Sequence, residues 1–322
     1  MKTTRITTVI LLAFLLTCGC GSREEVFPIG EFHVLDESFY ELVSKNAVAE
    51  TIGIDFGFTE GPAWHPEGYL LFSDISGNTI YKWDGRRHPV YRQPSNHSNG
   101  LLVKEDGSIL VCEHGTRRIS LITEGKTDSV MCDTYNGRRL NSPNDLCMTE
   151  KGVVFFTDPP WGLEGRNSDP AKELPFNGVY RLKNGELSLV DSTLSWPNGI
   201  ALSPDDKFLY VANMEIMQDN GEEEYDVFWL RYTLDENARI SGKEVFFRME
   251  DTSKPGGPDG MKTDRKGNLF ATGPGGILVM DHTGKHLGTI ELPLPPSNLA
   301  FGPKEKVLYV TARSNIIRIK LN

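Results

Sequence analysis

The sequence contains no long stretch with helical periodicity, and basic residues are in the minority. The missing 3.6-residue period argues against a helical bundle, whereas 32 glycines and 19 prolines are typical of a fold built from hairpins. The 34 lysines and arginines are outnumbered by 44 aspartates and glutamates, which gives a net charge of −10. Nucleic-acid-binding proteins carry the opposite charge, so we expect no nucleic-acid partner.

Cysteine is also sparse. Apart from two cysteines near the N-terminus, the chain has Cys112, Cys132 and Cys147, and an odd number leaves at least one thiol free. No pair has the spacing of zinc ligands, which excludes a cysteine-based zinc site, but the disulfide status stays open. The sequence lacks both a GxSxG nucleophile elbow and a phosphate-cradling loop, so these two catalytic signatures are excluded as well.

The N-terminus has the pattern of an export signal. The positive segment MKTTR precedes an apolar run, Val9 to Leu16, that is too short to span a bilayer in a folded protein. The run ends in LLTCGCGSREE, which resembles a bacterial lipoprotein signal with lipidation at Cys20. Cys18 is the alternative lipidation site, and a plain secretory signal with incidental cysteines is another interpretation.

We therefore predict three segments: a signal peptide over residues 1–19, a tether over residues 20–35 and a single domain over residues 36–322. The protein is expected to be exported, as a periplasmic or cell-surface lipoprotein. It would touch the membrane only through its lipid, and no obligate protein partner is evident. Which membrane holds the lipid, and the oligomeric state, stay open.

One short sequence motif recurs six times along the chain. It consists of an acidic residue, Asn or Ser, usually followed by Gly, then a part-apolar strand, a turn and a second strand. The spacings between successive repeats are 39, 45, 54, 61 and 38 residues. We call the first residue of each motif its anchor; the anchors are Glu60, Asn99, Asn144, Asn198, Asp259 and Ser297.

A repeat of this length with four short strands per unit predicts an all-β, six-bladed β-propeller. Only three strands fit after Ser297, so the last blade lacks one. The segment Ala47–Ile54 is the natural donor, and it would close the ring with an N-terminal strand. Extra length falls at residues 159–177 and 214–226, two insertions that we expect as loops on one rim.

Residues at one repeat position should occupy one radial position, so we expect the anchors to face a common axis. Glu60, Asn144, Asn198 and Asp259 then offer two carboxylates and two amide carbonyls, the oxygen ligands that calcium prefers. A divalent cation would also relieve the repulsion between the two carboxylates. The alternative is that Asx–Gly pairs simply begin strands and cap turns.

The strings FTEGPAW, RLNSPNDL, FFTDPPWG, WPNGIALSPDD, PDGMKTD and NLAFG resemble the gluconolactonase family, which includes senescence marker protein (regucalcin). Diisopropyl fluorophosphatase and paraoxonase are more distant relatives. The resemblance covers about residues 39–322. It implies metal ligands at Glu60, Asn198 and Asp259, with Asn144 as a fourth in the fluorophosphatase-like members.

The resemblance implies hydrolysis of a sugar-derived lactone with one divalent cation in the central channel. Ca²⁺ is expected, with Mg²⁺, Mn²⁺ or Zn²⁺ possible. The ion would polarise the ester carbonyl while a carboxylate activates water or attacks. Asp259 is the candidate catalytic base, and Glu60 is its rival.

The sequence departs from the animal lactonases at two substrate-contacting places. The position of their substrate-contacting Arg is Ser142 here, and their second acid falls within Trp161–Glu164 without a clear match. RLNSPND and TDPPWG instead resemble the bacterial branch. The chemistry is therefore expected to transfer better than the substrate, and which lactone or ester is used stays open, as does the natural metal.

Other residues at strand ends are candidates for the pocket mouth. Besides Asn144, we predict that His114, Asp158 and Trp161 contact the substrate; Trp161 could stack on a sugar ring. His114 could carry a proton or be an ordinary surface histidine. Two further functions stay open: a related metal-dependent esterase or phosphotriesterase, and a non-enzymatic binding propeller.

Overall fold

The structure is a computed structural model that describes residues 30–219 and 222–322; between residues 215 and 225 the side chains are not described. The predicted signal peptide, Cys20 and most of the predicted tether lie outside the described residues. Within the described part of the chain, no helix combines the length and apolar character needed to cross a membrane.

The described residues form six antiparallel blades, most of them built from successive strands, and one small two-stranded sheet; this is the predicted β-propeller. Two strands precede the repeats: β1 (Glu31–Val34) and β2 (Ala49–Gly53). Blade 1 contains β3 (Thr59–His65), β4 (Tyr69–Asp74), β5 (Thr79–Trp83) and β6 (Val90–Arg92). Blade 2 contains β7 (Ser98–Val103), β8 (Ile109–Glu113), β9 (Arg118–Ile122) and β10 (Ser129–Cys132).

The next blades follow a small hairpin of β11 (Thr134–Tyr135) and β12 (Arg138–Arg139). Blade 3 contains β13 (Leu146–Met148), β14 (Val154–Asp158), β15 (Gly178–Lys183) and β16 (Glu186–Asp191). Blade 4 contains β17 (Pro197–Leu202), β18 (Phe208–Asp219), β19 (Glu222–Leu234) and β20 (Ile240–Met249). Blade 5 contains β21 (Met261–Thr263), β22 (Leu269–Gly273), β23 (Gly276–Met280) and β24 (His286–Glu291). Blade 6 contains β25 (Asn298–Phe301), β26 (Val307–Ala312) and β27 (Asn315–Lys320).

Among residues 30–219 and 222–322, helical structure is confined to short pieces: the helix α1 (Phe39–Leu42) and 3₁₀ turns at Arg166–Ser168 and Pro303–Glu305. Helix α1 packs the fully buried Phe39 onto the core of blades 5 and 6.

The ring closes as predicted, because β2 pairs antiparallel with β27 and supplies the missing fourth strand of blade 6. The tether prediction was wrong at its C-terminal end. Residues 31–34 form β1, which pairs with β24 and adds a fifth, outermost strand to blade 5. The free edge of β24 offers unpaired N–H and C=O groups, and β1 satisfies them. The N-terminal segment therefore fastens two neighbouring blades.

The hydrophobic core consists of six clusters, one between each pair of neighbouring blades. For example, Trp229 of blade 4 packs with Leu278 of blade 5, and Phe72 of blade 1 packs with Tyr309 of blade 6. Because both faces of a blade are covered, its middle strands are buried along their length, as in β4 and β23. The blades are thus held as a rigid ring around the axis.

Local chemistry sets the turns. The four glycines that follow their anchors by eight residues all have positive φ, from 76° to 91° (Gly68, Gly107, Gly152 and Gly267). Only glycine adopts this conformation without steric strain. Cys112, Cys132 and Cys147 are all free thiols.

The two insertions have different structures. Residues 159–177 form a loop, as predicted, with one turn of 3₁₀ helix. Residues 214–226 were expected to be a loop as well, and this prediction was wrong. Residues 214–219 and 222–226 instead prolong β18 and β19, in a ladder that runs from Phe208↔Thr233 to Asp219↔Glu222. Trp161 and Met214 line the same cavity, so both insertions lie on one rim.

Candidate active site at the propeller axis

All six anchors line a single cavity of about 510 Å³ at one end of the propeller axis. Each anchor lies at the start of an innermost strand, where neighbouring blades come closest. At Gly61 and Gly199 an added Cβ would lie 2.1 Å from the carbonyl oxygen of Asn99 and 1.9 Å from that of Asp259. A glycine therefore follows most anchors because the next blade leaves no room for a side chain.

In two blades the anchor is followed by a larger residue instead of glycine, and the side chains of these two residues lie on the axis below the cavity. Asp145 of blade 3 and Asn298 of blade 6 are both buried, and their side chains meet with Nδ2 of Asn298 3.4 Å from Oδ2 of Asp145. The same oxygen of Asp145, Oδ2, lies 3.8 Å from Lys262 Nζ. Sequence reasoning missed these three residues, although the two interruptions of the anchor–glycine pattern were a usable signal.

Glu60 is held in one orientation at the cavity floor. One of its carboxylate oxygens, Oε2, accepts hydrogen bonds from the Gly61 N–H at 2.7 Å and from Asn298 Nδ2 at 3.1 Å. Burial raises the pKa of Glu60 to about 7, with a smaller contribution in the same direction from Asp145. The Gly61 and Asn298 hydrogen bonds and the charge of Lys262 act in the opposite direction.

Asp259 lies next to Glu60, and the two carboxyl groups are within hydrogen-bonding range. Burial, followed by the negative charges of Glu60 and Asp145, raises the pKa of Asp259 well above its ordinary value, while Arg313 acts against this rise. The buried carboxyl group of Glu60 and the half-buried one of Asp259 lie close enough to need either a shared proton or a cation between them.

The floor fits a divalent cation. The Oδ1 of Asn198 is buried and has no hydrogen-bond partner among the described residues, although buried carbonyl oxygens are normally bonded. When all four groups are ionised, the three carboxylates of Glu60, Asp259 and Asp145 and the one positive charge of Lys262 give the floor a net charge of −2. In the described ranges no three His, Cys, Asp or Glu side chains cluster as a metal site. The donors are instead carboxylate and amide oxygens, a set that suits Ca²⁺ better than Zn²⁺.

The structure brings together all four predicted ligands, Glu60, Asn144, Asn198 and Asp259, at the wall of this cavity. The sixth anchor has a different role. Ser297 Oγ donates to the Thr59 carbonyl at 2.7 Å and so ties blade 6 to blade 1.

His114 lines the cavity as well, 6% exposed, with its Nε2 3.2 Å from Asn99 Nδ2. Burial, followed by the charges of Arg166 and His97, lowers the pKa of His114 to about 3. The ring is therefore neutral at physiological pH, with Nε2 accepting from the amide. A neutral imidazole can hydrogen-bond a substrate, but it is not a protonated acid.

The loop of residues 159–177 covers one side of the cavity and is fastened by Ser142. The Ser142 hydroxyl donates to the Pro159 carbonyl at 2.6 Å and accepts from the Gly162 N–H at 2.8 Å. This contact holds Trp161 at the cavity wall, where its ring lies 4.3 Å from that of Trp196. Ser142 thus contacts the loop that shapes the pocket, a role that the sequence did not indicate.

The same cavity contains two cations that sequence reasoning missed, Arg166 and Arg313. Arg166 belongs to the 159–177 loop, and Arg313 belongs to the turn between β26 and β27. Arg166 lies at no position shared by the repeats, so no positional signal marked it. Arg313 directly follows β26 as His114 directly follows β8, and this equivalence was a usable signal.

Asp158, predicted to contact the substrate, does not line the cavity. Its side chain is fully buried, Oδ2 accepts from the Asn141 N–H at 2.7 Å, and burial raises the pKa of Asp158 to about 7. The Asp158 carbonyl also accepts from Asn141 Nδ2 at 2.9 Å. Asp158 therefore fixes the chain entering blade 3 rather than facing a ligand.

Comparison with known proteins agrees with this geometry. Residues 58–314 match the family described as SMP-30/Gluconolactonase/LRE-like region. The chain is 39% identical over 317 residues to a gluconolactonase of Zymomonas mobilis, covering 91% of this chain and 86% of that protein. A pentonolactonase, XacC of Haloferax volcanii, is 28% identical, covering 78% of this chain and 80% of that one.

A solved structure extends the comparison to three dimensions. The gluconolactonase XC5397 of Xanthomonas campestris superposes with a TM-score of 0.78 at 29% identity, covering 92% of this chain and 97% of that chain. The repeated strands, the six anchors at one cavity and these similarities lead to one conclusion: the chain belongs to the SMP-30/gluconolactonase/LRE-like family.

Proposed function

We propose that this gluconolactonase-like hydrolase opens the ester of a sugar-derived lactone to the hydroxy acid, and that it does so with one divalent cation at the floor of the axial cavity. The observation that carries the proposal is the pairing of the buried carboxyl group of Glu60 with the half-buried one of Asp259, beside an amide oxygen of Asn198 that has no partner among the described residues. An oxygen-rich floor of this kind suits a hard cation.

Glu60, Asn144, Asn198 and Asp259 would hold the cation. Ca²⁺ fits this donor set best, and Mg²⁺, Mn²⁺ and Zn²⁺ are the alternatives to test. When bound, the ion would polarise the ester carbonyl and offset the negative charge that develops on its oxygen.

Asp259 is the proposed base that takes the proton of the attacking water. Its rival, Glu60, has one carboxylate oxygen already occupied by two hydrogen-bond donors. The positive charge of Arg313 acts to lower the pKa of Asp259 and so favours the ionised carboxylate that a base requires. The anionic form of Asp259 is thus supported from the cavity wall, while Glu60 is committed to the floor.

Three further residues would orient the substrate. Asn144 and the neutral ring of His114 offer hydrogen-bonding groups to sugar hydroxyls, and Trp161 offers an aromatic face. The low pKa of His114 favours a hydrogen-bonding role over that of a proton carrier.

The experiment is a lactone panel on metal-stripped protein, with Ca²⁺, Mg²⁺, Mn²⁺ or Zn²⁺ added back one at a time. We expect hydrolysis of aldonolactones to depend on the added ion and to be lost in chelator. An aryl ester in the same panel separates a lactonase from a general esterase. Absence of any ester hydrolysis with all four ions would contradict the proposal and favour a binding propeller.

We also propose that the protein is exported and lipidated at Cys20, on the sequence pattern alone. Metabolic labelling with a palmitate analogue in a bacterial host tests this: wild type should be labelled and Cys20→Ser should not. Labelling that persists in Cys20→Ser and disappears in Cys18→Ser would move the site to Cys18.

A further inference from the structure

The walls of the axial cavity are positively charged although the protein as a whole carries a net charge of −10. Arg166 and Arg313 are the cationic side chains among the described residues lining this cavity. Within the described part of the chain, neither forms an ion pair with a carboxylate. Their charges are therefore not neutralised by a neighbouring protein group.

Arg166 is held in place by its own loop. Its Nη1 donates to the carbonyls of Trp161 and Leu163, and its Cζ lies 5.3 Å from the centre of the Trp161 ring. A guanidinium has five N–H donors, so these contacts leave donors on Nε and Nη2 for a ligand. A planar cation fixed by carbonyls and an aromatic ring is pre-organised to bind carboxylate or phosphate.

Arg313 lies on the wall of blade 6, across the ring from the loop of blade 3. Its Cζ lies 5.6 Å from the centre of the Phe58 ring, and its positive charge acts to lower the pKa of Asp259. Arg313 is thus closer to the proposed base, whereas Arg166 is closer to His114.

The charges of the cavity add up to a preference for anions. A divalent cation would offset Glu60 and Asp259, and Asp145 already faces Lys262 below them. His114 is uncharged at neutral pH. The two arginines then remain as two positive charges inside a concave site, an arrangement that concentrates anions. A cavity of about 510 Å³ also lies in the size range that encloses drug-sized ligands, so it has room for a substituent beyond a lactone ring.

We propose that the preferred substrate is an anionic lactone, a sugar lactone whose carboxylate or phosphate substituent is bound by Arg166 while its ester faces Glu60 and Asp259. Arg313 adds to the positive potential without being the direct contact. This inference rests on the proposed lactonase function and specifies its substrate class.

The test compares matched neutral and anionic lactones. Glucono-δ-lactone is paired with 6-phosphoglucono-δ-lactone, and glucono-γ-lactone with glucaro-γ-lactone, so the two pairs separate phosphate from carboxylate. For wild type with saturating cation we expect kcat/KM to be at least about tenfold higher for the anionic member of one pair. Arg166→Gln should lower the anionic-to-neutral ratio by about 10- to 100-fold, the effect of losing one hydrogen bond between charged groups.

Arg313→Gln should lower the same ratio by a smaller factor, about two- to fivefold, since it acts through the potential alone. The matched control is Arg86→Gln, which removes the same charge from an exposed turn between β5 and β6, outside the cavity. The control should leave the ratio unchanged. A ratio that falls equally in Arg86→Gln and Arg166→Gln would overturn the proposal.

A binding measurement provides a readout besides activity. Calorimetric titration with gluconate, 6-phosphogluconate and glucarate should give tighter binding of a dianion than of gluconate to wild type, and Arg166→Gln should abolish the difference. If wild type hydrolyses neutral lactones and favours them, and binds all three acids alike, the inference fails while the lactonase proposal stands. If no lactone is hydrolysed, the lactonase proposal fails, and the calorimetric dependence on Arg166 still decides whether the cavity selects anions.

Discussion

Removing the proposed divalent cation should make the stability of this protein depend on pH through Glu60. In the cation-free protein, burial raises the pKa of Glu60 from 4.5 to about 7. Between these two values the unfolded chain has lost the proton that the folded protein keeps. The free energy of unfolding therefore falls as pH rises through this window, and the stabilising contribution present below pH 4.5 is lost above pH 7.

The magnitude follows from the pKa change. A pKa that moves from 4.5 to about 7 corresponds to about 3 kcal/mol of folding free energy. Asp259, whose pKa is also raised, acts in the same direction. At about 1.5 °C per kcal/mol for a chain of this size, Glu60 alone should lower Tm by about 4–5 °C across the window. A bound cation favours both ionised carboxylates and should remove this fall.

The assay is thermal unfolding from pH 4.5 to 7.5 in chelator and in saturating Ca²⁺. The gap between the two Tm curves should widen with pH. Glu60→Gln should flatten the chelator curve, whereas Glu186→Gln, which changes an exposed residue at the start of β16, should not. Curves that coincide at every pH, or a chelator curve for Glu60→Gln as steep as that of wild type, would refute the reasoning.

Three other predictions concern the base, the loop and the ring closure. With saturating cation, Asp259→Asn should lower kcat by about 100- to 10,000-fold, which is the contribution of a positioned acid–base group. Asn198→Ala should instead weaken cation binding, and high Ca²⁺ should restore part of its rate. Near-normal kcat in Asp259→Asn would transfer the role to Glu60. Ser142→Ala should loosen the loop of residues 159–177, because the Gly162 N–H and the Pro159 carbonyl lose their partner. We expect faster amide exchange in this loop and a higher KM. Unchanged exchange would exclude the proposed role of Ser142 in holding the loop. Deleting all residues before 55 should lower Tm far more than deleting those before 30, since only the first removes β1, α1 and β2; equal losses would contradict the closure.

The repeat could be read from the sequence because it is a local pattern. Each anchor, its strand and its turn glycine lie within about a dozen consecutive residues, and a propeller converts equal sequence position into equal radial position. The same counting predicted that a strand before Glu60 completes blade 6, and β2 does so. β1 escaped prediction because four residues with alternating burial give too weak a pattern to separate a strand from a tether.

The misassigned insertion and Asp158 illustrate a second limit. Residues 214–226 were predicted to be a loop because they add length after the second strand of their repeat, but in the structure residues 214–219 and 222–226 continue the β18–β19 ladder. Asp158 ends a strand on the expected rim, yet its side chain turns to the backbone of Asn141. Strand position predicts the rim, whereas side-chain direction depends on which backbone donors lie nearby.

The sequence by itself determined the blade number, the ring closure and the set of oxygen donors at the axis, because these depend on residue type at a repeated position. Only the tertiary structure decided what surrounds those donors. Asn298 fixes Glu60, Lys262 faces Asp145, and Arg166 reaches the cavity from a loop with no counterpart in the other repeats. Asn298 and Asp145 occupy the same repeat position, directly after an anchor, but the side chains that they meet come from distant parts of the chain. Their meeting is set by how six blades pack around one axis, a property that no local pattern contains.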